Sequence, residues 1–439
     1  MSDTFNSTGN NSEDNNIYRN TTGTLMLKMK KAGITDVELI SQEMDKLRSQ
    51  QVEAGIFAFD TFTCNGSDAL TDVADEIGAE SRQCSVWSTN LYLGLNRHPE
   101  VIKSVIDAVS TFGTGSGTSA MSGGLCLLHR KIEEKVSNML NKESVMLFPT
   151  GFSANMGALA ALCGEEDHVL IDAESHASIR DGIRLSGAGK WITFAHNSLQ
   201  SLREKLEASE KTCKGKIVVI VESAYSMSGD ICPLTDIVKL KDRFNFLLFV
   251  DEAHSFGIYG EGGRGLCYRE GIIDRVDFIT STFSKATASI GGFVAMPHRY
   301  TSYFQWSANA YAFQACFTPG DAAAILAALN IIENDNSIVF SLHEKTRYMR
   351  GRLNQAGFDL RNSETPVIPI YINDTEKLIK TCLDLYKRDI FSVPISYPMV
   401  SQEDGRIRFI VNARHTHEQI DRTVDALSEL AKKNALFSA

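Results

Sequence analysis

The chain reads as an α/β protein built on a mostly parallel sheet, and three observations carry that reading. Short runs rich in Val, Ile, Leu and Phe recur at Val145–Phe148, Val169–Asp172, Ile217–Val221, Leu247–Asp251 and Phe278–Ser281. Segments of helix length separate them, which is the signature of βα units whose strands are covered on both faces. Beyond about residue 330 the texture changes to a long charged helical segment and isolated strands, which predicts a smaller C-terminal α+β domain.

Taken in order, residues 1–24 are rich in Asn, Ser and Thr and nearly devoid of large apolar side chains, the composition of a disordered tail. Residues 25–90 form an N-terminal segment in which 25–50 look helical, with Leu25, Met26, Met29, Ile34, Leu39 and Ile40 as packing positions. The large domain spans 91–330. His98-Pro99 opens a helix there, with Val101, Ile102, Val105, Ile106 and Val109 at helical spacing and Gly113 as its stop. In the small domain, 331–439, the spacing predicts a helix over Ser341–Ala356, strands at Pro366–Ile372 and Arg406–Val411, and a closing helix over Glu418–Lys432.

The 439 residues are 43% hydrophobic and 22% charged, an ordinary globular composition. A formal net charge of −10 gives no chain-wide footprint for nucleic acid or an anionic membrane. An anionic substrate then needs a few local cations. Nine scattered cysteines without a CxxC pair argue against a disulfide framework and a zinc ribbon and fit a reducing compartment. The polar N-terminus has no signal-peptide apolar region, and no apolar run approaches the ~18 residues of a membrane span. A cytoplasmic protein without a transmembrane segment is expected.

Several motifs are better read as structure. Gly260-Glu-Gly-Gly-Arg-Gly265 matches GxGxxG in form, but no strand runs directly into it, so it is a flexible loop and not a dinucleotide fingerprint. His415 and His417 have no third ligand nearby, so they read as a polar turn before a helix and imply no metal.

A larger constellation carries chemistry. One strand ends in Asp251-Glu-Ala-His254, which places a carboxylate and an imidazole at the carboxyl end of a parallel strand, where open α/β sheets bind ligands. The next ends in Thr282-Phe-Ser-Lys285, followed by Gly291-Gly292. Thr150-Gly151-Phe152 opens a helix whose free N–H groups attract a phosphate. Glu174-Ser-His176-Ala-Ser178 follows another strand and offers an imidazole face. Together these describe a pyridoxal phosphate site: Lys285 for the Schiff base, Asp251 for the pyridine nitrogen and a helix N-terminus for the phosphate.

The stretches FPTGFSAN (148–155), ESHASIRDG (174–182), ESAYSMSGD (222–230), VDEAHSFGIYG (250–260) and TFSKATASIGGFVA (282–295) resemble the α-oxoamine synthases, pyridoxal phosphate enzymes of the aspartate-aminotransferase-like fold type I. The similarity runs from about Ser88 to Asp421 and is nearest to the bacterial serine palmitoyltransferase branch. It implies decarboxylative condensation of an amino acid, serine favoured, with an acyl-CoA thioester to give an α-aminoketone. It further implies that Lys285 also acts as base at Cα, that His176 stacks on the ring, and that Asp251 pairs with the ring nitrogen, with His254 and Ser226 near the ring oxygen. Thr282 and the Gly151-Phe152 backbone would hold the phosphate. Asn90, Ser119 and Arg408 would face the amino acid, and Thr318 would reach the partner's phosphate in a homodimer with shared sites.

The chain departs from the family pattern at Ser119-Ala120 and Gly123-Gly124-Leu125, in a loop bordering the expected site. That leaves room for the 8-amino-7-oxononanoate, 5-aminolevulinate or 2-amino-3-ketobutyrate type, or for a carrier-protein thioester. Glycine-using members tend to carry threonine where Ser119 stands, so serine or alanine should be accepted at least as well as glycine. An aminotransferase and a non-catalytic subunit are the remaining readings, and the presence of Lys285, Asp251 and His176 speaks against the second.

Overall fold

The computed structural model describes residues 17–18, 21–56, 61–75 and 80–434. The expected tail over 1–24 falls largely outside these. Its end does not, because Thr22–Lys31 forms helix α1, with the Thr21 hydroxyl accepting from the Thr24 N–H at 3.2 Å. Asp36 caps α2, Val37–Glu53, in the same way. The helical reading of 25–50 is therefore two helices broken at Gly33.

Three short strands follow, β1 (Phe62–Thr63), β2 (Leu70–Ala74) and β3 (Arg82–Val86), joined antiparallel in that order. The large sheet contains β4 (Ser144–Phe148), β5 (His168–Asp172), β6 (Lys190–Phe194), β7 (Ile217–Glu222), β8 (Leu247–Asp251), β9 (Phe278–Thr282) and β10 (Gly292–Met296). Its spatial order is β4-β10-β9-β8-β7-β5-β6. All strands run in one direction except β10, which is antiparallel to both β9 and β4. The antiparallel exception has a local cause: only a turn separates Thr282 from Gly292, too short for the crossover a parallel neighbour requires.

The uninterrupted apolar runs are explained by what covers the sheet. Along β7, Val219 and Val221 pack into one core with Leu248 and Val250, while Val218 and Ile220 pack into the opposite core with Phe249, Ala158, Leu159 and Ile179. The second of these cores is roofed by α5 (Gly151–Leu162) and α6 (Ala177–Ser186), which follow α3 (Pro99–Phe112) and α4 (Leu127–Leu140).

β11 (Val367–Tyr371), β13 (Pro394–Ile395) and β14 (Arg406–Ile410) make a third sheet, with β14 central, while β12 (Ile390–Phe391) instead extends the first sheet by pairing parallel with β3. Helices Ser337–Gln355 and His417–Lys433 complete this end, close to their expected spans. The helix expected from His98-Pro99 to Gly113 forms as α3: Val101 and Ala108 are buried and Val105 packs against the core, while Ile102, Ile106, Val109 and Phe112 stand exposed. Among the described residues no helix is long and apolar enough to cross a membrane.

Candidate active site

The carboxyl ends of β4, β5, β7, β8 and β9 open on one end of the sheet, and a cavity of about 360 Å³ lies there. Gly151, Phe152, His176, Asp251, His254, Thr282 and Lys285 all line it, as do Asn155 and Glu222. Asp251 is the last residue of β8 and sits in register with Glu222 of β7, so parallel pairing alone brings two carboxyl groups side by side.

Lys285 lies just past β9. Its Nζ is 2.7 Å from His254 Nε2, and His254 Nδ1 is 2.6 Å from the Tyr92 hydroxyl. Burial pulls the Lys285 amine down to about 8 against the charges of Asp251 and Glu222, which raise it; the nearby Arg408 guanidinium also lowers it. Burial likewise holds His254 well below the usual imidazole range, helped by the charges of Lys285 and Arg408. A buried, partly deprotonated amine at the rim of a polar cavity is a nucleophile at neutral pH.

Asp251 is fixed by two donors, the Asn155 amide at 2.6 Å and the Ala253 N–H at 2.9 Å. Asn155 is fixed in turn, because its Oδ1 accepts from the Thr280 hydroxyl at 2.7 Å and its Nδ2 also reaches the Ser178 hydroxyl at 3.0 Å. Ser178 then holds His176, whose Nδ1 accepts from the Ser178 N–H at 3.2 Å. An Nδ1 that accepts from an amide is unprotonated, in keeping with the depression of the His176 pKa by burial. The His176 N–H donates to Glu222 Oε1 at 2.6 Å, while burial and the charge of Asp251 raise the Glu222 carboxyl well above its usual range. One chain of hydrogen bonds therefore fixes a carboxylate below the cavity and a neutral imidazole beside it.

The other end of the cavity is the first turn of α5. Thr150 caps it by accepting from the Ser153 N–H at 3.0 Å, and Ser153 Oγ accepts from the Thr150 N–H at 3.1 Å. The turn is pressed against the sheet at a point only glycine permits: a Cβ on Gly292 would lie 2.6 Å from Gly151 Cα and N. Thr282 and Ser284, whose hydroxyls are 2.8 Å apart, stand beside the free N–H groups of this turn. Buried amine, pinned carboxylate, neutral imidazole and helix N-terminus face one volume, and these residues fit a pyridoxal phosphate molecule.

The remaining expected residues lie outside the cavity wall. Arg408, on β14, donates to the Ser226 carbonyl at 2.9 Å, so Ser226 contributes its backbone here, and the Arg408 Nε is buried without a partner. Asn90 Oδ1 is also buried and unpartnered. Ser119 is buried and bridges to Ala315, and the loop closes behind it at Gly124, where a Cβ would meet the Thr118 carbonyl oxygen at 2.3 Å. Thr318 caps the helix Pro319–Asn334, with its hydroxyl on Asp321 Oδ2 at 2.6 Å.

Sequence reasoning missed Asn155, Glu222 and Tyr92. Asn155 closes the stretch FPTGFSAN, where Thr150-Gly151-Phe152 drew the attention as the helix start and the asparagine one turn further in did not. Glu222 ends a strand just as Asp251 does, and that position was the available signal. The GEGGRG loop is folded tightly around buried Glu252, whose Oε1 accepts from the Cys267 N–H at 2.7 Å. His415 closes the turn that begins at Asn412, just before the last helix, but it is fully buried: it stacks on Trp87 with centroids 3.8 Å apart and bonds the Val86 carbonyl and the Asn412 N–H.

The model of the class I and II aminotransferase family matches residues 82–427. Serine palmitoyltransferase of Sphingobacterium spiritivorum is 37% identical over 363 residues, covering 83% of this chain and 90% of that protein. The 8-amino-7-oxononanoate synthase of Alkaliphilus oremlandii is 35% identical over 350 residues, covering 80% and 88%. A solved structure of SPT with a PLP internal aldimine superposes with a TM-score of 0.85 at 25% identity, covering 92% of this chain and all of that one.

Proposed function

Since the chain belongs to the α-oxoamine synthases, within the class I and II aminotransferases of fold type I, we propose that it condenses serine with a long-chain acyl-CoA, releasing CoA and CO2 and leaving an α-aminoketone. It is a pyridoxal phosphate-dependent acyltransferase. The observation that carries the reading is Lys285, a buried amine lowered to about 8, sharing one cavity with Asp251 and His176.

When bound, pyridoxal phosphate supplies an electron sink for a carbanion at the amino-acid Cα. The protein's part follows from its own side chains. Asp251, held by Asn155 and Ala253, keeps a negative charge where the ring nitrogen would lie. His176, neutral and locked by Ser178, presents its ring face. The first turn of α5 with Thr282 and Ser284 takes the phosphate. Lys285 Nζ, uncharged in part near neutral pH, removes the Cα proton, and His254 at 2.7 Å orients that amine. Arg408 has an unpartnered Nε–H to donate to a substrate carboxylate, and the unpartnered Asn90 Oδ1 is an acceptor for a substrate N–H or hydroxyl. The exposed apolar side chains of α3 support a homodimer, with Thr318 serving the second copy's site.

The test supplies serine and palmitoyl-CoA to the cofactor-loaded protein and follows CoA, CO2 and the aminoketone. Lys285→Ala should abolish all three. Turnover by Lys285→Ala, or an exchanged amino acid formed with a 2-oxo acid and no thioester, would sink the assignment. The relative from Alkaliphilus favours a second reading, in which alanine and a shorter acyl thioester are the substrates. Product formation with alanine but not serine would select it.

A further inference from the structure

Outside the cavity lies a cluster that none of the roles above uses. His196, just after β6, is held between two carboxylates: Nδ1 is 2.7 Å from Asp172 Oδ1 and Nε2 is 2.8 Å from Asp230 Oδ2. Each ionised carboxylate can only accept, so both ring nitrogens donate and the imidazole is a cation. Burial opposes that charge, but the bonds to Asp172 and Asp230 outweigh it and raise His196 to about 10.

The groups around it close the cage. Glu174 Oε2 is 3.9 Å from Nε2, Tyr225 packs its ring edge-on at 4.5 Å, and Ser228 bonds Asp230. Asn197 donates its N–H to Asp172 Oδ2 at 2.9 Å and its amide to Asp230 Oδ2 at 2.8 Å. Arg406 acts on Glu174, and Cys232 and Glu222 complete the surrounding titratable set. Asp172 is fully buried.

The two carboxylates belong to two loops that matter. Asp172 starts the segment 172–176, which ends in His176, and the Glu174 N–H donates to Asp172 Oδ1 at 2.8 Å. Asp230 closes the turn 225–230, where its carbonyl accepts from the Tyr225 N–H at 3.0 Å. The carbonyls of Ser226 and Met227 in that turn hold Arg408 at 2.9 Å and Arg406 at 3.0 Å. Without a cation at 196, Asp172, Asp230 and Glu174 repel one another in a poorly solvated space, and the two loops part.

We propose that His196 is a positioning residue: an imidazolium that bolts the His176 loop to the turn holding Arg408, and so sets the grip on the amino-acid carboxylate. The inference rests on the amino-acid role of Arg408 given above. It predicts a selective defect. His196→Gln keeps a hydrogen-bonding side chain but removes the charge, and the Arg408 end of the site moves while Lys285 and α5 stay in place.

The experiment titrates cofactor-loaded wild type, His196→Gln and Asp230→Asn with serine, read through the cofactor absorbance, and measures KM for the thioester. The expected result is an intact cofactor band, a serine Kd raised about tenfold or more in His196→Gln and less in Asp230→Asn, and a thioester KM within about twofold of wild type. Asp230→Asn carries the test if His196→Gln does not fold. Nitrogen-15 NMR of the imidazole, on protein with or without cofactor, should show both His196 nitrogens protonated at pH 8. A neutral ring, an unchanged serine Kd, or a serine Kd and thioester KM that rise together overturns the proposal. A wild type that answers alanine and not serine revises the substrate reading alone, and the same titration then runs with alanine.

Discussion

Gly292→Ala probes the closest backbone approach in the site. Its Cβ would lie 2.6 Å from Gly151 Cα, Gly151 N and the Thr150 carbonyl oxygen, none of which can rotate aside. Ordinary contact begins at 3.4 Å, so the first turn of α5 or the start of β10 must give by about 0.8 Å. Overpacking against rigid backbone costs about 1–3 kcal/mol. Misplacing a binding group by nearly 1 Å costs up to about a hundredfold. Gly292→Ala should therefore lower the urea midpoint of the cofactor-free protein and raise the pyridoxal phosphate Kd, read by fluorescence quenching, by about tenfold or more. Gly351 is the control, since it lies inside the helix Ser337–Gln355 with nothing within 4 Å of its added Cβ. Gly351→Ala should stabilise by about 0.5–1 kcal/mol and leave the cofactor untouched. A Gly292→Ala protein that binds cofactor as wild type does would refute the idea that this approach sets the phosphate end.

Three further outcomes follow from titrating groups. Burial pushes His415 down to about 3, so the folded state binds its neutral form; the unfolded ring, near 6.5, takes up a proton first as pH falls. Stability should drop by about 1.4 kcal/mol per pH unit between about 6.5 and 3, and His415→Gln should flatten that slope in denaturant melts. Glu252 shows the opposite sign, since burial raises it to about 7 and its contribution is complete below about 4.5 and lost as pH rises to 7. Glu252→Gln should recover about 3 kcal/mol above pH 7 relative to its own effect at pH 4.5, and equal effects at both would refute the assignment. Finally, capture of pyridoxal phosphate by cofactor-free protein should quicken as pH rises through about 8, as Lys285 loses its proton; a midpoint near 10.5 would mean the amine is not desolvated.

Legibility in the sequence followed the range of each interaction. The run Ile217–Val221 announced a strand covered on both faces, and every residue of the strand that forms there, Ile217–Glu222, is buried. β6 gave no such signal: Lys190–Phe194 is a half-exposed edge, and its polar residues masked it. Asp251 and Lys285 were readable because position at a strand end is itself chemical information. Tyr92 was not, since its partner His254 is 162 residues away and only the fold joins them. In α3, helical periodicity marked an apolar stripe correctly but could not say whether the stripe met the chain's own core or stood exposed, as Ile106 does.

The pairing of β3 with β12 has a consequence for how the molecule is made. Arg82 meets Asp389 across 307 residues, and Ser85 and Val86 stand opposite Ile390 and Phe391. A ribosome adding about 5–20 residues per second needs roughly 15–60 s to deliver that partner. During that interval β3 has an open edge, while the large sheet between them is synthesised and can close first. β3 itself carries charge on that edge in Arg82 and a polar neighbour in Gln83, which discourages the wrong strand from adding there. The first sheet is thus completed only after every strand of the large one has been made, and its closure ties the early part of the chain to the late one.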